Sequence, residues 1–112
     1  MQKEYRIRKN GQFQYVYRKG SASSCRELTL LYIKASRLQV GFSVSKKVGK
    51  AHTRNLVKRR LRAAFSSQMG ELKCGYYVFA AKPLAAESNY KTLLNSMKYL
   101  LRRQKLYQSH TV

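Results

Sequence analysis

The segment that decides the fold runs from Leu38 to Arg62 and reads LQVGFSVSKKVGKAHTRNLVKRRLR. Its first eight residues alternate in character, which predicts a β-strand with one buried face. The apolar positions are Leu38, Val40, Phe42 and Val44, and the small or polar ones are Gln39, Gly41, Ser43 and Ser45. Because the second face is small and polar, it leaves room for something to lie against it.

The remainder of the segment is strongly basic. Eight of the 17 residues from Lys46 to Arg62 are Lys or Arg, and none is acidic. A block of one sign repels itself unless a polyanion neutralises it, whereas a solvated helix face usually mixes signs. Apolar residues recur within the block, so it should be folded. We infer a folded surface that binds a polyanion.

The basic block begins as a loop broken at Gly49 and then predicts a helix from Thr53, as N-cap, to about Gln68. On a helical wheel the buried stripe comprises Val57, Leu61, Ala64 and Phe65. Asn55, Arg59 and Arg62 lie opposite this stripe, with Lys58 at its border. The wheel therefore predicts that the basic groups are presented outward together.

The other elements follow from periodicity and from turn residues. We predict a first helix over Gln12–Lys19 capped by Asn10, a strand over Arg26–Lys34, a hairpin loop over Ala35–Arg37, a strand over Tyr76–Ala81 and a last helix over about Asn89–Tyr107. This order predicts a single α+β domain over residues 1–112, with helices packed on a small mixed β-sheet.

Composition narrows the class of partner. The chain has 24 basic and four acidic residues among 112, a formal net charge of +20, which favours nucleic acid. An anionic membrane is the alternative, but no apolar stretch approaches the ~20 residues needed to span a bilayer. The N-terminus lacks the apolar region of a signal peptide, and Cys25 and Cys74 make no disulfide scaffold. We expect a cytoplasmic protein.

No constellation in the sequence favours catalysis by the chain alone. The four glutamates are scattered, and Cys25, His52, Cys74 and His110 lack the short spacings of a zinc site. His52 and His110 could serve as an acid and base pair, but His110 is the third residue from the end of the sequence. Binding is therefore favoured over autonomous cleavage.

Aromatic residues offer a second kind of contact. Phe13, Val16 and Tyr17 share one face of the first helix. Spacing alone favours packing of Phe13 and Tyr17 on the sheet over stacking on nucleic-acid bases. Tyr76, Tyr77 and Phe79 are likewise expected in the core.

The stretch from Gly41 to Phe65 closely resembles the signature of the bacterial ribonuclease P protein subunit. That signature is an Arg-Asn-x-x-x-Arg-x-x-Arg pattern after Lys-Lys-x-Gly-x-Ala, and here it comprises Arg54, Asn55, Arg59 and Arg62. The segment RIRKNGQFQYVYRKG is similar to the family's first helix. The resemblance implies the accessory subunit of an RNA enzyme that cleaves precursor tRNA at the mature 5′ end, with catalysis by the RNA.

The resemblance also implies partners and roles. The partners are ribonuclease P RNA and precursor tRNA, with no membrane and no protein partner required, and Mg²⁺ is held mainly by the RNA. The residues implied to bind the catalytic RNA are Lys46, Lys47, Lys50, Arg54, Asn55, Lys58, Arg59 and Arg62. Those implied to bind the single-stranded 5′ leader are Phe13, Tyr17 and Lys9, which reverses the preference from spacing.

The resemblance also bears on one strand position and on the handedness of the fold. Some relatives carry a strand tyrosine that contacts the leader, and here the position is Leu31, with Tyr32 on the other face. The family also implies a left-handed strand–helix–strand crossover, although general rules predict a right-handed one.

The alternative functions are a ribosomal protein that docks on folded rRNA, a stand-alone nuclease and, more weakly, a helix-turn-helix DNA-binding protein.

Overall fold

A computed structural model describes residues 2–108, which form an α+β fold built on one four-stranded mixed sheet. The strands are β1 (Ser21–Ser24), β2 (Leu28–Ile33), β3 (Leu38–Ser43) and β4 (Gly75–Ala81), in the spatial order β1-β2-β4-β3. The helices are α1 (Asn10–Lys19), α2 (Ala51–Ser66) and α3 (Tyr90–Arg103). Short 3₁₀ turns lie at Lys3–Tyr5, before α1, and at Met69–Glu71 and Pro83–Glu87, on either side of β4. The predicted fold class is confirmed.

The predicted hairpin between β2 and β3 is wrong, because β4 lies between these two strands. β4 pairs antiparallel with β2 and parallel with β3. Its residues Tyr77, Val78 and Phe79 are fully buried, so a central position covers both of its apolar faces. β1 pairs with β2 and was missed, since Ser-Ala-Ser-Ser has no apolar period.

The main core lies between the sheet and the pair α2 and α3. Phe65 of α2 is fully buried, with its ring centroid 5.4 Å from that of Tyr77 and 5.8 Å from that of Phe79. The predicted stripe of α2 is confirmed, because all four of its members are buried. Tyr77 and Phe79 are confirmed as core residues.

A smaller core lies on the opposite face of the sheet, beneath α1. It consists of Ile7, Val16, Leu31 and Val78, with Phe13, Ile33 and Tyr76 packed against it. Tyr76 is only half-buried there. The molecule therefore has three layers, and α1 is separated by the sheet from α2 and α3.

The connection from β3 through α2 to β4 is left-handed. Val40 directs its side chain into the core beneath α2, while its carbonyl oxygen accepts a hydrogen bond from the Ile7 N–H on the side away from β4. Consider a strand of L-residues whose chain runs upward, viewed so that the side chain of one residue points toward the viewer. The N–H and C=O groups of that residue then point to the right. β4 therefore lies to the left of β3, against the usual right-handed rule. The implied crossover is confirmed.

The helix ends differ from the predicted ones. α1 begins with Lys9 as N-cap, not Asn10, and α2 begins after Lys50, earlier than the predicted Thr53. Neither helix has a side-chain cap or an acidic residue in its first turn, whereas the Asn89 carboxamide oxygen accepts a hydrogen bond from the Thr92 N–H to cap α3. α3 ends at Arg103, four residues before the predicted end.

Candidate nucleic-acid interface

The small polar face of β3 is covered in part by the chain's own first helix. The Phe13 ring lies directly on Gly41, so that a Cβ added at Gly41 would overlap the ring. Beside it, the Gln12 carboxamide donates a hydrogen bond of 2.5 Å to Gln39, which in turn donates one of 3.1 Å to the Glu4 carbonyl oxygen. These contacts fix the position of α1 and hence of Phe13.

We predict that Gly41→Ala destabilises the protein by about 1–3 kcal/mol, because the added Cβ overlaps the half-buried Phe13 ring. In a Phe13→Ala background the same substitution should cost much less, since no ring occupies the space. The measurement is urea unfolding of the wild type, the two single variants and the double variant. Additive losses would contradict the packing of Phe13 on Gly41.

A groove opens at the outer edge of β3, next to this contact. It encloses a volume of about 220 Å³. Its floor consists of aromatic, aliphatic and small residues, and four cations surround it. The floor residues are Ile7, Phe13, Val40, Gly41 and Phe42, and the cations are Arg6, Arg8, Lys58 and Arg62. Partly exposed rings among cations fit a single-stranded nucleic acid, whose bases stack and whose phosphates are anionic.

Phe13 and Tyr17 differ in their surroundings. Phe13 is half-buried and lines the groove, so the expectation from spacing, that it packs on the sheet, is right for this residue. Tyr17 is 43% exposed, so the same expectation is wrong for Tyr17. Tyr17 follows Phe13 by one helical turn, but it does not line the groove.

The basic residues of α2 do not all share one outward face. Asn55 and Arg59 are exposed, as the wheel predicts. Lys58 and Arg62 are one turn apart and both line the groove, because their side of α2 lies along the edge of β3. Arg62 therefore departs from the predicted outward set.

In two arginines of α2 the Nε atom of the guanidinium group is shielded from solvent. The Nε atoms of Arg54 and Arg62 are buried and have no hydrogen-bond partner within the part of the chain that the structure describes. Arg60, which is not in the predicted set, donates a hydrogen bond of 2.9 Å to the Ser88 carbonyl oxygen and ties α2 to the segment before α3.

The turn before α2 presents three lysines. Lys46, Lys47 and Lys50 are all exposed, while Val48 between them is buried and anchors the turn to the core. The first N–H groups of α2 lie beside these cations and lack a side-chain cap. Free N–H groups and the helix dipole both favour an anion at this end. We call Lys46, Lys47 and Lys50 the lysine turn.

The positions that replace the family's strand tyrosine do not reach the groove. Leu31 is buried beneath α1, and Tyr32 faces the opposite side, where its hydroxyl donates a hydrogen bond to the Cys74 carbonyl oxygen. Burial raises the pKa of Tyr32, Tyr77 and Tyr107 above the ordinary value. These three phenols therefore stay protonated at neutral pH.

Metal ligands do not cluster within residues 2–108: no three His, Cys, Asp or Glu side chains lie close enough together to hold an ion. Cys25 and Cys74 are free thiols, His52 is exposed, and His110 lies outside the described residues. None of the helices in the described part is long and apolar enough to cross a membrane.

Sequence reasoning missed three groove residues that carry a charge or an aromatic ring. These are Arg6, Arg8 and Phe42. The run Arg-Ile-Arg alternates between charged and apolar residues, which is a period-2 signal. In the structure Ile7 is buried and its N–H donates a hydrogen bond of 2.9 Å to β3, while the arginines on either side turn outward. Read as a short edge strand, this run could have predicted both cations. Lys9, predicted to bind the leader, lies outside the groove.

The fold and these surfaces define a small, highly basic nucleic-acid-binding protein of the α+β class. The family model "Ribonuclease P" matches residues 1–105. The chain belongs to the ribonuclease P protein family, whose members take part in tRNA processing as components of ribonuclease P.

Individual relatives agree with this assignment. The chain is 39% identical to the ribonuclease P protein component of Shouchella clausii over 95% of its length and 90% of the relative. It is 40% identical to that of Clostridium botulinum strain Loch Maree over 94% and 98%. A solved RNase P protein from Staphylococcus aureus superposes with a TM-score of 0.87 at 29% identity, covering 93% and 98% of the two chains. That from Thermotoga maritima gives 0.79 at 25%, covering 88% and 96%.

Proposed function

We propose that this chain is the accessory subunit of a ribonucleoprotein endoribonuclease that removes the 5′ leader from precursor tRNA in the cytoplasm. The lysine turn and the exposed residues Asn55 and Arg59 bind the catalytic RNA. The groove holds the single-stranded leader, with Phe13 as the stacking platform and Tyr17 beside it. The RNA subunit carries out the cleavage and holds the Mg²⁺ ions.

The observation that carries this proposal is a difference in chemistry between two basic surfaces, the groove and the lysine turn with the outer face of α2, which adjoin at Arg62. The groove has aromatic rings on its floor and cations around it. The lysine turn and the outer face of α2 present exposed cations and Asn55, and the turn is free of aromatic side chains. Stacking surfaces favour unpaired bases, whereas cations alone favour the backbone of a folded RNA. One chain can therefore hold two RNA elements at once.

The groove cations divide between two elements. Lys58 and Arg62 come from α2, and Arg6 and Arg8 come from the extended segment before α1. Because α2 also carries Asn55 and Arg59, a single rigid helix would link the leader to the catalytic RNA. Leader binding would then add affinity for precursor tRNA that mature tRNA cannot gain.

The protein should also lower the Mg²⁺ requirement of the RNA. Its net charge of +20 supplies part of the screening between RNA backbones that divalent ions otherwise supply.

Reconstitution tests the proposal. Purified protein is added to ribonuclease P RNA and precursor tRNA at a Mg²⁺ concentration too low for the RNA to act alone. We expect cleavage at the mature 5′ end to be restored, and no cleavage by the protein without the RNA. Failure to restore cleavage would favour a structural RNA-binding protein, such as a ribosomal one, and cleavage by the protein alone would indicate a nuclease.

A further inference from the structure

A second basic depression lies next to the groove, on the other side of Arg6 and Arg8. It encloses about 450 Å³. Its cations are Lys3, Arg6, Arg8, Lys9 and Arg37, and they share it with the carboxylate of Glu4 and the amides of Gln12 and Gln39. None of these lining residues is aromatic. We call this depression the distal surface.

The distal surface has a fixed frame. Gln39 is 8% exposed and forms hydrogen bonds to both Gln12 and the Glu4 backbone, so β3, α1 and the N-terminal 3₁₀ turn are joined beneath the cations. The N–H of Arg6 also bonds to the Lys3 carbonyl oxygen at 3.1 Å. Five cations held near one carboxylate repel one another, and a polyanion relieves this repulsion.

Two arginines connect the distal surface to the groove. Arg6 and Arg8 line both depressions, so a strand that leaves the groove past them meets Lys3, Lys9 and Arg37 next. We propose that the distal surface binds the part of a long leader that lies farther from the cleavage site. This inference rests on the proposed binding of the leader in the groove.

The chemistry of the distal surface determines how it would recognise RNA. Without aromatic rings it offers no stacking platform, so its contacts are to phosphates and do not depend on base identity. Lys9 lies in the distal surface and not in the groove, so it would contribute to the binding of long leaders only. Short leaders would end before reaching it.

The test compares precursor tRNAs with leaders of about 4 and about 12 nucleotides, a range typical of single-strand sites. The variant is Lys3→Ala/Arg37→Ala in the reconstituted holoenzyme, because both side chains are exposed and neither lines the groove. We expect affinity for the long leader to fall roughly ten- to thirty-fold at ~0.1 M salt, and its salt slope to fall by about 1.4. Affinity for the short leader should not change.

A matched control removes the same charge elsewhere. Lys98→Ala/Arg102→Ala changes two residues of α3, on the other side of the sheet, and should leave both affinities unchanged. Equal losses for both leaders and for mature tRNA would overturn the inference and indicate contact with the catalytic RNA. No loss for any substrate would overturn it as well.

The inference and the proposed function can fail separately. If Phe13→Ala leaves binding of both leaders unchanged, leader binding in the groove is wrong. If Phe13→Ala weakens both leaders while Lys3→Ala/Arg37→Ala weakens neither, the groove stands and only the distal surface is wrong.

Discussion

Replacing Phe13 by Ala in the holoenzyme is expected to weaken binding of precursor tRNA by ~1–3 kcal/mol and to leave binding of mature tRNA unchanged. The ring forms part of the groove floor against Gly41 and is half-exposed, so it can stack on an unpaired base. Mature tRNA has no leader and therefore cannot make this contact. The measurement is the equilibrium dissociation constant of each tRNA with catalytically inhibited holoenzyme.

Two control variants separate stacking from folding. Phe13→Leu keeps an apolar side chain against Gly41 but removes the π-face, so it should retain stability and still lose most of the stacking energy. Tyr15→Ala removes another aromatic ring of α1, which is 43% exposed and does not line the groove, and should change neither affinity. Equal losses for precursor and mature tRNA in Phe13→Ala would contradict leader binding in the groove.

The second large effect is expected for the lysine turn. The triple variant Lys46→Ala/Lys47→Ala/Lys50→Ala should weaken assembly with the catalytic RNA about 100-fold at ~0.1 M salt, if each lysine contacts one phosphate. The slope of log affinity against log salt should fall by about 2. All three side chains are exposed and Val48 remains as the anchor, so the fold should be kept.

A charge-matched variant provides the control for this effect. Lys91→Ala/Lys98→Ala/Arg102→Ala removes three cations from α3 and should change assembly and its salt slope little. If both triple variants lose affinity equally, the effect is one of net charge and the assignment of the lysine turn is wrong. Circular dichroism spectra of both variants would establish that the helices are intact.

The helices and strands were predicted well where the apolar residues followed one clear period. The stripe of α2 indicated one buried face, and this face is buried as expected. The alternation of β3 correctly placed Val40 in the core, but its polar face is not free, because α1 packs over Gln39 and Gly41 and buries them. The sequence could not predict strand order, because β4 is apolar on both sides and pairs with strands far away in the chain. Ser21–Ser24 forms a strand through pairing with β2 alone, which no local pattern reveals.

The two basic surfaces could be predicted only in part, because a sequence pattern does not show which elements pack side by side. Charge density located the lysine turn and the exposed face of α2, but a wheel for one helix cannot show what packs beside it. Arg62 therefore enters the groove with Lys58 because β3 runs along that side of α2. Arg6 and Arg8 join them only through the bridge between their segment and Val40. The left-handed crossover came from family resemblance and not from any pattern in the residues.

Under the proposed function, the protein adds affinity for the leader to an RNA enzyme. The most direct measurement is the ratio of precursor to mature tRNA affinity, determined for the RNA subunit alone and for the reconstituted holoenzyme under the same salt conditions. We predict that the protein raises this ratio by about 5- to 150-fold, and that Phe13→Ala removes most of the increase. The same ratio with and without the protein would contradict leader binding by the protein.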